Sequence, residues 1–173
     1  MHRKTVCWLL LLLCSIGCCF GQEKTSPTNS FMVTGKVKTA LRFSLEQAAA
    51  YKTVKLDSLV IYNHLMQKKR VLKDIKGILL KDIIEKAGID IASPKLLSEI
   101  FITCVASDNY KVVFSWNELF NTPLGKQVLI VTALDGKPAA EGNDRIAVLS
   151  AMDEATGRRF VKGLEKIIIE QVK

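Results

Sequence analysis

The chain has 173 residues, 49% of them hydrophobic, with 25 Lys and Arg against 17 Asp and Glu for a net charge of +8. That apolar share excludes a disordered chain, and the length sets one domain as the prior. The placement of its five cysteines and two histidines excludes much of metal and disulfide chemistry as well.

The start, "MHRKTVCWLLLLLCSIGCCFGQ", has His2, Arg3 and Lys4, an apolar core from about Val6 to Ile16, and then small residues. This is the grammar of a secretory signal, and the run is shorter than the roughly 20 apolar residues of a spanning helix. Cleavage after Gly21 places Cys19 and Gly21 at the recognition positions and leaves Gln22 first. A second reading takes Ser15-Ile16-Gly17-Cys18 as a lipobox that leaves Cys18 lipidated. The first fits better, because a lipobox usually has Leu where this one has Ser15. Residues 1–21 are therefore expected to be a signal peptide, and the protein to be exported to the periplasm or cell envelope. Cys7, Cys14, Cys18 and Cys19 belong to this segment, so the exported domain keeps only Cys104. It then has no internal disulfide or cysteine-rich metal site, and its stability must come from a packed core. A domain of about 150 residues buries roughly 70% of its unfolded surface. Loss of Arg3 and Lys4 leaves a mild net charge of +6.

Residues 22–30, "QEKTSPTNS", are polar, contain Pro27 and show no apolar periodicity, so they read as a flexible leader before a domain over 31–173. "FMVTGKV" reads as a strand, and Ser44 with Gln47 as a capping box opening a small helix through Tyr51. "DSLVIYN" is the next strand, ending at Asn63-His64. A basic, hairpin-like segment follows with Lys68, Lys69, Arg70, Lys73 and Lys76. It lacks interleaved aromatics, which argues against nucleic acid and leaves a solvated basic face or an anionic ligand or surface. "ILLKDIIEKAG" has Leu79, Leu80, Ile83, Ile84 and Ala87 at helical spacing, stopped by Gly88. Beyond Pro94 come "EIFITCVAS", "YKVVFSW", "KQVLIVTAL", "RIAVLSA" and "LEKIIIEQV" as strands, with turns at 107–109, at Asp135-Gly136 and around Thr156-Gly157. Strands in runs, with few short helices, predict an α+β class: a compact single domain with mixed, mostly antiparallel sheets.

Few residues carry chemistry. His64 is the only histidine left after cleavage, which excludes a His-based metal site; it is either a strand-end surface residue or part of a cleft. Cys104, inside "FITCVA", reads as a small buried hydrophobe, with a reactive thiol as the rival. Asp108-Asn109-Tyr110 is a turn, since Asp and Asn bond nearby backbone and tolerate left-handed angles. Ser115 with Glu118 reads as a capping box for "WNELF". There is no glycine-rich phosphate loop or nucleotide fingerprint. In "GRRFVKGL", Arg158, Arg159 and Lys162 follow a turn, where they suit either bidentate binding of an anion or plain solvation.

The order "VTGKV", "IKGILLKDIIEKAGI", "VASDNYKVVFSWNEL", "GRRFVKGLEKIIIE" resembles the oxidoreductase molybdopterin-binding domain family, whose best-known member is the central domain of sulfite oxidase. The resemblance covers residues 31–172 and rests on Lys76 to Leu80, on Asp108-Asn109-Tyr110 (usually Asp-Gly-Tyr) and on Arg159 to Lys162. It implies a compact α+β fold with mixed sheets. In enzymatic members a cysteine ligates molybdenum and an Arg and a Lys near the last strand hold the pterin, so Arg159 and Lys162 are the residues it maps onto cofactor binding. The ligand cysteine would fall within Ile61 to His64, where there is none. Molybdopterin is thus the cofactor implied by resemblance, with its metal ligand absent and no catalytic or metal residue to assign. The expected function is an exported, non-catalytic binding module. Asn63, His64, Asp108, Tyr110, Arg158, Arg159 and Lys162 form its candidate cleft for an anionic small molecule or a partner protein. Two alternatives stay open: a molybdopterin-dependent oxidoreductase or a subunit of one, and an envelope interaction protein tethered to the membrane by lipid at Cys18.

Overall fold

A computed structural model describes residues 24–143 and 145–172; the expected signal segment and Cys18 lie outside this range. Among the described residues eleven strands are present: β1 (Ser30–Gly35), β2 (Leu41–Ser44), β3 (Thr53–Tyr62), β4 (Lys68–Leu79), β5 (Ile100–Ala106), β6 (Lys111–Ser115), β7 (Val128–Leu134), β8 (Lys137–Pro138), β9 (Ala147–Ser150), β10 (Val161–Lys162) and β11 (Leu164–Gln171). The α-helices are α1 (Leu80–Ala87) and α2 (Trp116–Phe120), with short 3-10 turns between strands. One sheet has the order β2-β1-β11-β5-β6; the other runs β10-β9-β7-β4-β3, with β8 on β7. Among these described strands only β1 and β11 pair in parallel, so the expected class, α+β with mixed and mostly antiparallel sheets, is the class observed.

Period-2 alternation explains how one sheet separates two cores. Along β7, Val128 and Ile130 face a first cluster, where they meet Ile102, Cys104, Ile167 and Ile169 of the other sheet; Leu129 and Val131 face a second. β9 divides likewise, with Val148 on the first side and Ala147 and Leu149 on the second. A strand buried on both faces reads as a continuous apolar run, as "VLIV" does. α1 lies on the first core through Leu80, Ile83, Ile84 and Ala87, the i, i+3, i+4, i+7 stripe, and ends at Gly88, φ 66°.

Two sequence expectations change. The basic segment and the first residues of the expected helix form one twelve-residue strand, β4, in which Gly77, Ile78 and Leu79 pair with β7 and Leu79 also caps α1. Ladder pairing of Gly77 and Ile78 on both sides and of Leu79 with Leu129 outweighs the helical spacing that begins at Leu79. The expected flexible leader is held from Thr25: its hydroxyl donates to Asp108 Oδ2 at 2.6 Å, Ser26 and Ser107 exchange two hydrogen bonds at 2.8 Å, and Thr28 bridges to Arg145. Short hydroxyl side chains and backbone pairing fix this stretch without apolar periodicity. No helix among the described residues is long and apolar enough to cross a membrane.

Candidate functional site

The end of β3 is fastened to the turn that leads into β10. Thr156, 3% exposed, accepts from the Tyr62 amide at 2.9 Å and donates to the Val60 carbonyl at 2.7 Å. The Gly157 amide donates to the Tyr62 carbonyl at 2.8 Å. The approach is so close that a Cβ at Gly157 would lie 2.7 Å from that carbonyl oxygen, so only glycine fits. From the other sheet, the Tyr110 phenol donates to the Arg158 carbonyl at 2.5 Å.

These links enclose a cleft of roughly 570 Å³ between the β3–β4 hairpin and residues 157–162. Ile61, Tyr62 and Phe160 give it an apolar side; Asn63, His64, Lys69 and Arg70 come from the hairpin, Tyr110 from the turn before β6, and Gly157, Arg158 and Lys162 from the far wall. The Arg70 guanidinium lies 5.6 Å and the Lys162 ammonium 5.7 Å from the centroid of the Phe160 ring, within cation–π range. Four cationic side chains and His64 therefore line a cavity with no carboxylate among the described lining residues.

Five of the seven residues singled out in the sequence, Asn63, His64, Tyr110, Arg158 and Lys162, line this one cavity. Asn63 is also the turn's organiser: its Oδ1 accepts from the Leu65 and Gln67 amides and its Nδ2 donates to Gln67 Oε1. Asp108 and Arg159 lie outside the lining. Asp108 orders its own turn, and the Thr25 hydroxyl and then the Tyr110 amide hold its carboxyl below the usual carboxylate range. Arg159 grips Asp153 with two bonds, at 2.8 and 2.6 Å, and Glu118 with a third at 2.9 Å, while its guanidinium lies 4.4 Å from the Phe114 ring centroid. These bonds, led by those to Asp153, push its pKa up. Burial pushes Glu118 up, but the Ser115 amide and Arg159 outweigh it and leave the carboxyl low. Arg159 is thus a strut between α2 and the 151–160 turn, held there by Asp153 and Glu118. The sequence reading missed Lys69, Arg70, Phe160 and Thr156. Its signal was at hand for the first two, in the basic run that follows Asn63-His64.

Molybdenum held by a pterin needs a soft ligand to complete its coordination. Ile61 to His64, where the family cysteine would fall, supply no thiolate, and Cys104 sits on β5, fully buried, with burial pushing its thiol up to about 12. Among the described residues no group of three or more His, Cys, Asp and Glu is placed to hold a metal. The donor set does not fit a cysteine-ligated molybdenum centre.

No protein-family model matches the chain, and no curated protein matches it in sequence. Among solved structures it is similar to the sulfane dehydrogenase SoxCD from Paracoccus pantotrophus, with a TM-score of 0.62 and 13% identity over 83% of this chain. That overlap spans 39% of the SoxCD chain. At this identity the likeness is one of fold alone.

Proposed function

We propose that the protein binds an anionic small molecule in the cleft between the β3–β4 hairpin and residues 157–162, outside the cytoplasm. The observation that carries this is the lining: Lys69 and Arg70 from the hairpin and Arg158 and Lys162 from the facing segment converge with no carboxylate among the described lining residues. Like charges gathered at a low-dielectric wall raise the local concentration of an anion and stabilise it when it arrives. Charge-assisted N–H···O bonds from guanidinium forks suit phosphate or carboxylate oxygens, and the volume lies in the range of small-molecule sites. The apolar side formed by Ile61, Tyr62 and Phe160 favours a ligand with a carbon or ring portion. The motif order of the sequence and the SoxCD likeness support a molybdopterin-binding-like fold. The donor set supports binding over redox catalysis. Compartment rests on the signal-like start.

The test is thermal melting of the full chain with inorganic phosphate, pyrophosphate and citrate as probes. A probe at 100 times its dissociation constant adds about 2.7 kcal/mol, which raises the melting temperature by about 5 to 10 °C. Arg158→Ala and Lys162→Ala are expected to lose most of that rise. Equal rises in the wild type and both variants would remove the cleft from consideration.

A further inference from the structure

We propose that the tip of the β3–β4 hairpin docks the protein on an anionic bilayer, with Leu65 and Met66 entering the acyl boundary and the basic start of β4 lying among the headgroups. Leu65 is 63% and Met66 52% exposed, two adjacent apolar side chains facing water. Three cations follow within four residues of Met66, at Lys68, Lys69 and Arg70, all exposed, and no acidic residue occurs from Ser58 to Lys73. An apolar tip backed by cations without carboxylates is complementary to a surface that is negative outside and apolar beneath.

The backbone adds an independent observation. Met66 holds φ 57°, a left-handed angle that a non-glycine residue adopts at a penalty. A Gly or Asn there would relieve the strain, and neither would present an apolar side chain. The Asn63 hydrogen bonds to residues 65 and 67 and the Met66 amide bond to the Asn63 carbonyl pin the turn. Leu65 and Met66 are therefore presented in a fixed arrangement, which lowers the entropy lost on insertion.

Dimensions favour lipid over a protein partner. Strands rise about 3.3 Å per residue, so Lys68 to Arg70 lie roughly 7 to 13 Å behind Met66. The polar layer on each side of a bilayer is about 5 to 7 Å deep, which puts Lys68 at its outer edge once Met66 passes the acyl boundary, with Lys69 and Arg70 just beyond it on the side from which they attract anionic headgroups. A protein interface of ordinary size needs about 800 Å² per partner, far more than two side chains supply. His64 and Lys69 flank the tip and also line the cleft, so docking would set the cleft beside the headgroup layer. The proposal does not rest on the cleft reading.

The experiment is co-sedimentation of the full chain with vesicles of phosphatidylcholine alone and with about one-third phosphatidylglycerol. Residues 1–23 are common to every variant, so differences between variants read the tip. Wild type should favour the anionic vesicles, and the preference should shrink at high salt. The double variant Leu65→Asp, Met66→Asp should partition at least tenfold more weakly, and Lys68→Glu about tenfold. None of these three residues lines the cleft, so their phosphate-induced melting shifts should stay as in the wild type, and Arg158→Ala should leave vesicle binding intact. Val113→Asp, at another exposed apolar site on β6 (52% exposed), should partition like the wild type. Met66→Asn keeps a residue tolerant of the left-handed angle, so it should melt at or above the wild type while binding vesicles less. The proposal falls if the double Asp variant sediments like the wild type, or if Val113→Asp weakens binding as much. It falls equally if the tip variants keep vesicle binding and lose only binding to polyglutamate, the acidic-protein outcome.

Discussion

Replacing Thr156 by valine keeps the shape of the side chain and removes a single hydroxyl that serves both Tyr62 and Val60. Each of the two hydrogen bonds contributes about 1 kcal/mol, and a buried donor or acceptor left without a partner costs up to about 1–3 kcal/mol. Tyr62 is half-buried, so water reaches part of the exposed amide, and the expected loss is about 2–3 kcal/mol. For a chain of this size that lowers the melting temperature by about 5 to 10 °C. Thr156→Ser keeps the hydroxyl and removes a methyl group, so it should cost about 1 kcal/mol. Circular-dichroism melts of the two variants measure stability, and a phosphate titration of each measures the cleft, since freeing the end of β3 from residues 156–157 lets Arg158 move away from Lys69 and Arg70. Valine should melt below serine and bind phosphate more weakly. If Val melts with or above Ser, the hydroxyl is not the fastening, and the account of how the cleft is shaped is wrong.

Arg159→Met should destabilise by about 2–3 kcal/mol, mostly because Asp153, 12% exposed, loses its charged partner and keeps only the Ser150 hydroxyl, whereas Glu118, 38% exposed, can turn to water; phosphate-induced melting shifts should persist, and their loss would place Arg159 in the binding machinery. Glu118 has a folded-state pKa below its ordinary value of 4.5, so its contribution is present above that value and fades as pH falls through the lower one; Glu118→Gln should flatten the acid limb of a stability–pH curve, and an unchanged limb would refute the assignment. The Cys104 thiol, pushed from 9.0 to about 12, favours the folded state while protonated. That contribution is whole below pH 9 and is lost as pH rises towards 12. With Cys7, Cys14, Cys18 and Cys19 changed to serine, Cys104 should react with a thiol reagent at pH 8 only when denaturant opens the fold, and fast labelling of native protein would contradict its burial.

The sequence made some of this architecture plain, for stated reasons. α1 and the capping boxes at Ser44 and Ser115 are local, so their residues announce them; the Ser115 amide and hydroxyl both donate to Glu118 Oε2, at 2.7 and 3.1 Å. The long strand β4 was hidden by one backbone angle. Asp74 is left-handed, φ 46°, and across it Leu72 and Ile75 face the same core although they are three residues apart. That spacing imitates a helix, and the lysines and arginine before it imitate a loop. Of the candidate cleft, the sequence could name short polar or basic motifs at three points, and the fold brings members of all three to one cavity. It could not show that Arg159 is consumed, because Asp153 and Glu118 lie 6 and 41 residues away. The pinning of Thr25 and Ser26 was equally out of reach, since their partners are 83 and 81 residues on.

The five-stranded sheet has its last-made strand in the middle: β11 separates β1 and β2 on one side from β5 and β6 on the other. During synthesis at about 5–20 residues per second, the two outer pairs emerge early, each as an isolated two-stranded unit with one apolar face, which is marginal in water. Their joining waits for residues 164–171. The turn carrying Arg158 and Lys162 directly precedes that strand, so the cleft and the sheet are completed in one late event. A sheet arranged in this order stays open until β11 has been made and then closes at once. Deleting residues 164–171 should therefore abolish folding of the entire domain, where removing an edge strand of the same length would only fray the sheet.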